Sequence, residues 1–217
     1  MINTKIELWP EGMYQRNNKE DFRPTLATYI LDGDKSRGAV LICPGGGYGF
    51  VSEREGEPIA LQFNAAGFQA FVLNYSVSPH RHPQPLLDVS RAMCLLRERA
   101  GSWKVDPKKI AVCGFSAGGH LAACLGVHWS KPYLQNAPGI MMGMNQPNAL
   151  ILSYPVISSR EFAHRGSFEN LLGEHADEDL LGEMSLERQV NPETPPVFIW
   201  HTYNDGLVPV ENSLLFA

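Results

Sequence analysis

The stretch Ile110–Leu125, IAVCGFSAGGHLAACL, constrains this chain more than any other. Ile110, Ala111, Val112 and Cys113 form a short apolar run without alternation, the pattern of a strand covered on both faces. Leu121, Ala122, Ala123 and Leu125 belong to an apolar, small-residue helix. Between them lies Gly114-Phe115-Ser116-Ala117-Gly118, with a glycine two residues to either side of a serine. A strand that reverses directly into a helix crowds its own backbone, so both flanking positions must lack side chains. The residue at the apex is strained, with its side chain exposed above the sheet.

G-x-S-x-G is the spacing of a nucleophile elbow, and it makes Ser116 the candidate nucleophile. The helix that follows aims free N–H groups and a positive dipole end at a reacting oxygen. The competing reading is a Gly-Ser turn with a solvated hydroxyl. A second apolar strand, Ala39–Cys43, runs straight into Pro44-Gly45-Gly46-Gly47-Tyr48-Gly49. Three successive glycines let a backbone approach a ligand and turn its N–H groups inward. Beside an elbow they read as an oxyanion hole, like the glycine-rich loop of lipases and esterases. A phosphate loop would need Gly-Lys-Ser/Thr, which does not follow; a structureless loop is the other alternative.

The remaining pattern alternates strands and helices. Ile6–Trp9 and Thr25–Leu31 are strand candidates that could pair antiparallel, with a polar loop at 16–20 between them. Glu57–Ala66 is a helix ended by Gly67, and Phe68–Leu73 a strand. Leu86–Ala100 is an amphipathic helix. Ala149–Leu152 is a buried strand and Pro196–Trp200 the last apolar strand. The 130–147 segment reads as a loop, and 156–193, with short helical pieces at 177–184 and 186–190, as a cap over a pocket. His80 and His82, flanked by prolines and without a nearby carboxylate, read as a surface loop and not a metal site. His120, one helical turn past Ser116, reads as a packing residue beneath the site. Asp205, at the tip of the last strand, fits the acid of a Ser–acid–His set. Short alternation of this kind predicts a mostly parallel sheet with helices on both faces, whose ligands bind at the carboxyl ends of the strands.

Composition enters mainly as exclusion. At 217 residues, 44% hydrophobic and 19% charged, the chain reads as one soluble domain spanning 1–217. A net charge of −5 without a basic cluster gives no reason to expect nucleic acid. No window approaches a membrane span and the N-terminus lacks a signal-peptide core, which places the chain in the cytoplasm. Cys43, Cys94, Cys113 and Cys124 sit in apolar contexts and read as buried free thiols.

The chain resembles the α/β-hydrolase fold and, within it, the acetyl xylan esterase/lipase-like group of small carboxylesterases. The matching pieces are PGGGY (Pro44–Tyr48), CGFSAGGHLAA (Cys113–Ala123), SYPVI (Ser153–Ile157) and PPVFIWHTYNDGLVPVENS (Pro195–Ser213). The resemblance implies Ser116 as nucleophile and Asp205 as the acid that orients a histidine. It implies backbone N–H groups of Gly46, Gly47 and Ala117 as the oxyanion hole, and Tyr48 as a substrate-binding residue. It also implies small acyl esters, acetylated sugars among them, as substrates, with no cofactor and no metal, and it leaves homo-oligomerisation open. Members labelled xylanases notwithstanding, no paired carboxylates stand out as a glycosidase site.

In this fold the histidine follows the acid, yet none of the seven histidines lies after Asp205. The expectation is therefore a fragment of a longer product, with its last strand missing and Val197–Trp200 beside an open sheet edge. On this reading the 217 residues hydrolyse p-nitrophenyl acetate barely above background. Robust turnover would point to His201, His120 or a partner chain as the base. The alternatives are an inactive hydrolase-like binding protein and an amide-cleaving formamidase or peptidase.

Overall fold

The computed structural model describes residues 2–14 and 22–217; the 16–20 loop expected from sequence lies outside the described residues. The strands are β1 (Ile2–Glu7), β2 (Thr25–Ile30), β3 (Arg37–Cys43), β4 (Gln69–Asn74), β5 (Val105–Phe115), β6 (Ala149–Ser153) and β7 (Val197–Trp200). The helices are α1 (Glu57–Ala65), α2 (Gln84–Glu98), α3 (Ala100–Trp103), α4 (Ala117–His128), α5 (Pro132–Gln135), α6 (Arg165–Leu172), α7 (Glu178–Glu183) and α8 (Glu211–Phe216), with 3-10 turns at Glu53–Glu55 and Leu186–Arg188.

The strands form one sheet in the order β1-β2-β4-β3-β5-β6-β7. β1 pairs antiparallel with β2, and β2 with β4; all other pairs are parallel. The predicted first strand is displaced: pairing of Ile2 with Ile30 through Glu7 with Thr25 ends it at Glu7. Leu8 and Trp9 then turn into the core, where the Trp9 indole donates to Asp88 Oδ1 at 2.8 Å.

Helices lie on both faces, as alternation along the central strands requires. Val40 and Ile42 of β3 and Ala70 of β4 pack with Ala60 of α1. Leu41, Cys43, Phe71 and Val112 face the larger core, built from α2 and α4. All twelve residues of α4 are buried, so its sequence shows no polar face. On the α1 side, β7 is left bare: Phe198 is 62% exposed. All four cysteines are free and buried. Among the described residues, no helix is long and apolar enough to cross a membrane.

Two loop expectations are corrected. His80 is buried, with its Nε2 3.3 Å from the Tyr14 hydroxyl, and the half-buried His82 stacks edge-on against Tyr133; the turn lies at the surface, with Pro79, Arg81 and Pro83 exposed, but both imidazoles point inward. The 130–147 segment contains the short helix α5.

Candidate active site

The site forms where β3 and β5 end. β5 delivers Ser116 at φ 52°, ψ −119°, at the head of α4. The two flanking glycines explain how this fits. A Cβ on Gly114 would fall on the Gly118 carbonyl, and one on Gly118 would fall on the carbonyls of Cys43 and Pro44. The backbone of Ser116 is tied into the sheet, its N–H donating to the Ser153 carbonyl at 3.0 Å and its carbonyl accepting from Val156 N–H at 3.1 Å. These tertiary bonds hold the left-handed conformation that an L-residue otherwise avoids.

The glycine loop is folded over the same spot. Gly46 (φ 127°) and Gly47 (φ 62°) have positive φ. The Gly46 carbonyl accepts from Gly49 N–H at 2.9 Å, which closes the turn. Gly45 N–H is already used, donating to Glu55 Oε2 at 2.7 Å. Among the described residues the N–H groups of Gly46 and Gly47 have no hydrogen-bond partner. Ala117 is the first residue of α4, whose N–H no intrahelical carbonyl reaches. Glu55 acts as a clamp, since its other oxygen accepts from the Tyr154 hydroxyl at 3.0 Å. Sequence reading passed over Glu55; its three-residue spacing from Ser52 has the form of a capping box, but Ser52 makes no such cap.

Ser116, Gly46, Gly47, Glu55 and Asp205 line one cavity of about 560 Å³, together with Phe50, Arg54, Tyr154, His164 and Trp200. Asp205 Oδ1 accepts from Leu207 and Val208 N–H, both at 2.9 Å. Burial pushes its carboxyl up, but the Val208 and Leu207 N–H groups and His201 outweigh it and hold the pKa below the usual value. Asp205 therefore stays ionised at neutral pH, with Oδ1 spent on its own loop.

Tyr48 is a correction. It is 2% exposed, and its hydroxyl lies 2.9 Å from His120 Nδ1. It packs beneath the loop and is not among the residues that line the cavity. His120 is the buried packing residue expected: its Nε2 lies 3.0 Å from the Met184 carbonyl, which only a protonated Nε2 can satisfy. Burial lowers its pKa to about 4. His201 is equally committed, with Nδ1 2.7 Å from Ser213 Oγ and Nε2 2.9 Å from the Val208 carbonyl. Neither ring is free to take a proton from Ser116. The 156–193 segment divides. The N-cap of α6, His164, lines the cavity, and Asn170 of α6 braces the glycine loop by donating to the Gly47 carbonyl at 2.8 Å, whereas the end of α7 packs under α4 through Glu183 and Met184.

A mostly parallel sheet with helices on both faces, carrying a serine at a strained strand-to-helix reversal, defines an α/β-hydrolase. The chain belongs to the BD-FAE family, whose model matches residues 29–217. It is 41% identical over 214 residues to endo-1,4-beta-xylanase B of Butyrivibrio fibrisolvens, covering 97% of this chain and 34% of that protein. It is 32% identical over 215 residues to the acetylxylan esterase of Xylanibacter ruminicola, covering 97% of this chain and 42% of that protein. The crystal structure of an acetyl ester-xyloside bifunctional hydrolase from Caldicellulosiruptor lactoaceticus superposes with a TM-score of 0.92 at 44% identity, covering 98% of this chain and 79% of that one. The chain thus spans well under half the length of those two curated relatives.

Proposed function

We propose that this chain carries the nucleophile, the oxyanion hole and the acid of a serine carboxylesterase that removes small acyl groups, acetyl above all, from sugars. The observation that carries this reading is the convergence of Ser116, the unpaired Gly46 and Gly47 N–H groups and ionised Asp205 on one cavity. Ser116 Oγ attacks the ester carbonyl. The oxyanion is received by Gly46, Gly47 and Ala117 N–H. The alcohol leaves, and water cleaves the acyl-enzyme. Asp205 Oδ2 is the oxygen left to orient the imidazole that takes the serine proton.

The relatives named for acetylxylan and acetyl ester hydrolysis support the acetylated-sugar substrate. Glycoside cleavage is less well supported. It calls for a working pair of carboxyl groups, and although Glu55 and Asp205 share the cavity, both Glu55 oxygens are occupied by Gly45 and Tyr154.

His201 Nε2 lies 3.7 Å from Asp205 Oδ2 but is spent on the Val208 carbonyl, and none of the histidines among the described residues is hydrogen-bonded to Ser116 Oγ or to Asp205. Losing the histidine of a comparable triad costs about 10⁶ in turnover. The 217 residues alone should therefore hydrolyse p-nitrophenyl acetate barely above the buffer rate, and Ser116→Ala should remove what remains. Residual hydrolysis that survives Ser116→Ala would overturn the assignment.

A further inference from the structure

One side chain of the cavity wall is used neither by this chemistry nor by the glycine loop. His164 is the N-cap of α6, and its Nδ1 accepts from Ser167 N–H at 3.3 Å; the Ser167 hydroxyl lies 2.9 Å from the same nitrogen. His164, Ser167 and Asn170 are spaced three apart along one side of α6. Asn170 bonds the Gly47 carbonyl, and Ser167 Oγ lies 3.8 Å from the point where a Cβ on Gly47 would stand. The ring is thus fixed relative to the glycine loop.

An Nδ1 that accepts from a backbone N–H leaves the proton of the neutral ring on Nε2. Among the described residues Nε2 has no hydrogen-bond partner. The Ser167 N–H is shared between the His164 carbonyl at 3.0 Å and Nδ1, an arrangement that favours Nδ1 as acceptor and so disfavours His164 as the base. A lone pair on Nε2 would require a proton on Nδ1, facing the Ser167 N–H.

We propose that His164 is a specificity residue whose Nε2–H donates to an oxygen of the alcohol half of the ester. This rests on the esterase reading, because an acetyl group carries only its carbonyl oxygen, and that oxygen is taken by Gly46, Gly47 and Ala117. Any further acceptor must come from the alcohol. The cavity of about 560 Å³ has room for a sugar ring beyond the acetyl group. The donor favours hydroxyl-bearing, sugar-type alcohols over plain aryl ones.

The test measures binding in the Ser116→Ala background, where the ester survives, by titration calorimetry with a monoacetylated methyl xyloside, which keeps two free hydroxyls, and with phenyl acetate. His164→Asn keeps an N-capping side chain and removes the ring donor. Expected is a loss of roughly tenfold in affinity for the xyloside, no change for phenyl acetate, and an Nε2–H tautomer for His164 in the ¹⁵N spectrum of the unsubstituted chain. Equal losses for both ligands, an unchanged xyloside affinity, no measurable xyloside binding in the Ser116→Ala background, or an Nδ1–H tautomer would each overturn the proposal. The tautomer decides even if His164→Asn fails to fold. Failure of Ser116 as nucleophile would appear instead in hydrolysis and labelling, which these binding measurements do not use.

Discussion

Glu55 shows how a single buried carboxylate can set up a site without touching the reaction. One oxygen fixes the Gly45 N–H and the other the Tyr154 hydroxyl, so the glycine loop and the turn after β6 are held by one side chain. Both partners are donors. Glu55→Ala removes both acceptors and leaves the buried Gly45 N–H unsatisfied, which costs about 1–3 kcal/mol. Thermal unfolding should register that loss. Labelling of Ser116 by a small alkyl fluorophosphonate should slow at least tenfold, because the Gly46 and Gly47 N–H groups would no longer be fixed in place. An unchanged midpoint would mean that the clamp is not stabilising.

The elbow makes its claim at the scale of the element. β5 and α4 approach so closely that each flanking glycine meets a carbonyl where a Cβ would stand. Gly118→Ala should cost more than about 4 kcal/mol or prevent folding, as read by urea denaturation; a variant of near-native stability would contradict the described packing. Such crowding was legible in sequence because G-x-S-x-G states the constraint directly. So were β3, β5 and β6, apolar runs short enough to be strands. The wall of the cavity was not legible. α6 has its cap supplied by a histidine in place of Ser, Thr, Asp or Asn, so no N-terminal signature announces it, and His164 escaped notice with it. Tyr48 was misassigned for the opposite reason: adjacency to the glycines suggested substrate contact, whereas its positive φ turns the ring down onto His120.

Over the whole molecule, buried titratable groups set the acid limit. Burial pushes His120 and His82 down to about 4. Between their unfolded value near 6.5 and that point, the unfolded chain binds protons that the folded chain refuses. Stability is then full above pH 6.5 and lost as pH falls toward 4, each histidine contributing on the order of 3 kcal/mol. Asp88 works the other way. Burial raises it to about 6 against the hydrogen bonds from Ser76, Gln84 and Trp9, so between about 4 and 6 the folded state holds the extra proton and gains stability as pH falls. One carboxyl offsets less than two histidines do. Urea denaturation should give a clearly lower stability at pH 4.5 than at pH 7; equal values would contradict the burial of these rings.

The measurement closest to the centre of the esterase reading is the labelling of Ser116 by a small alkyl fluorophosphonate, with the modified residue identified by peptide mass. It needs no turnover. An oxyanion hole and a helix N-terminus retain roughly 10³–10⁴ of rate enhancement in triads stripped of a member, so the folded chain should be modified at Ser116 at least a hundredfold faster than the chain in urea, and at no other serine. Labelling of Ser116 no faster in the folded chain than in the unfolded one would contradict its role as nucleophile.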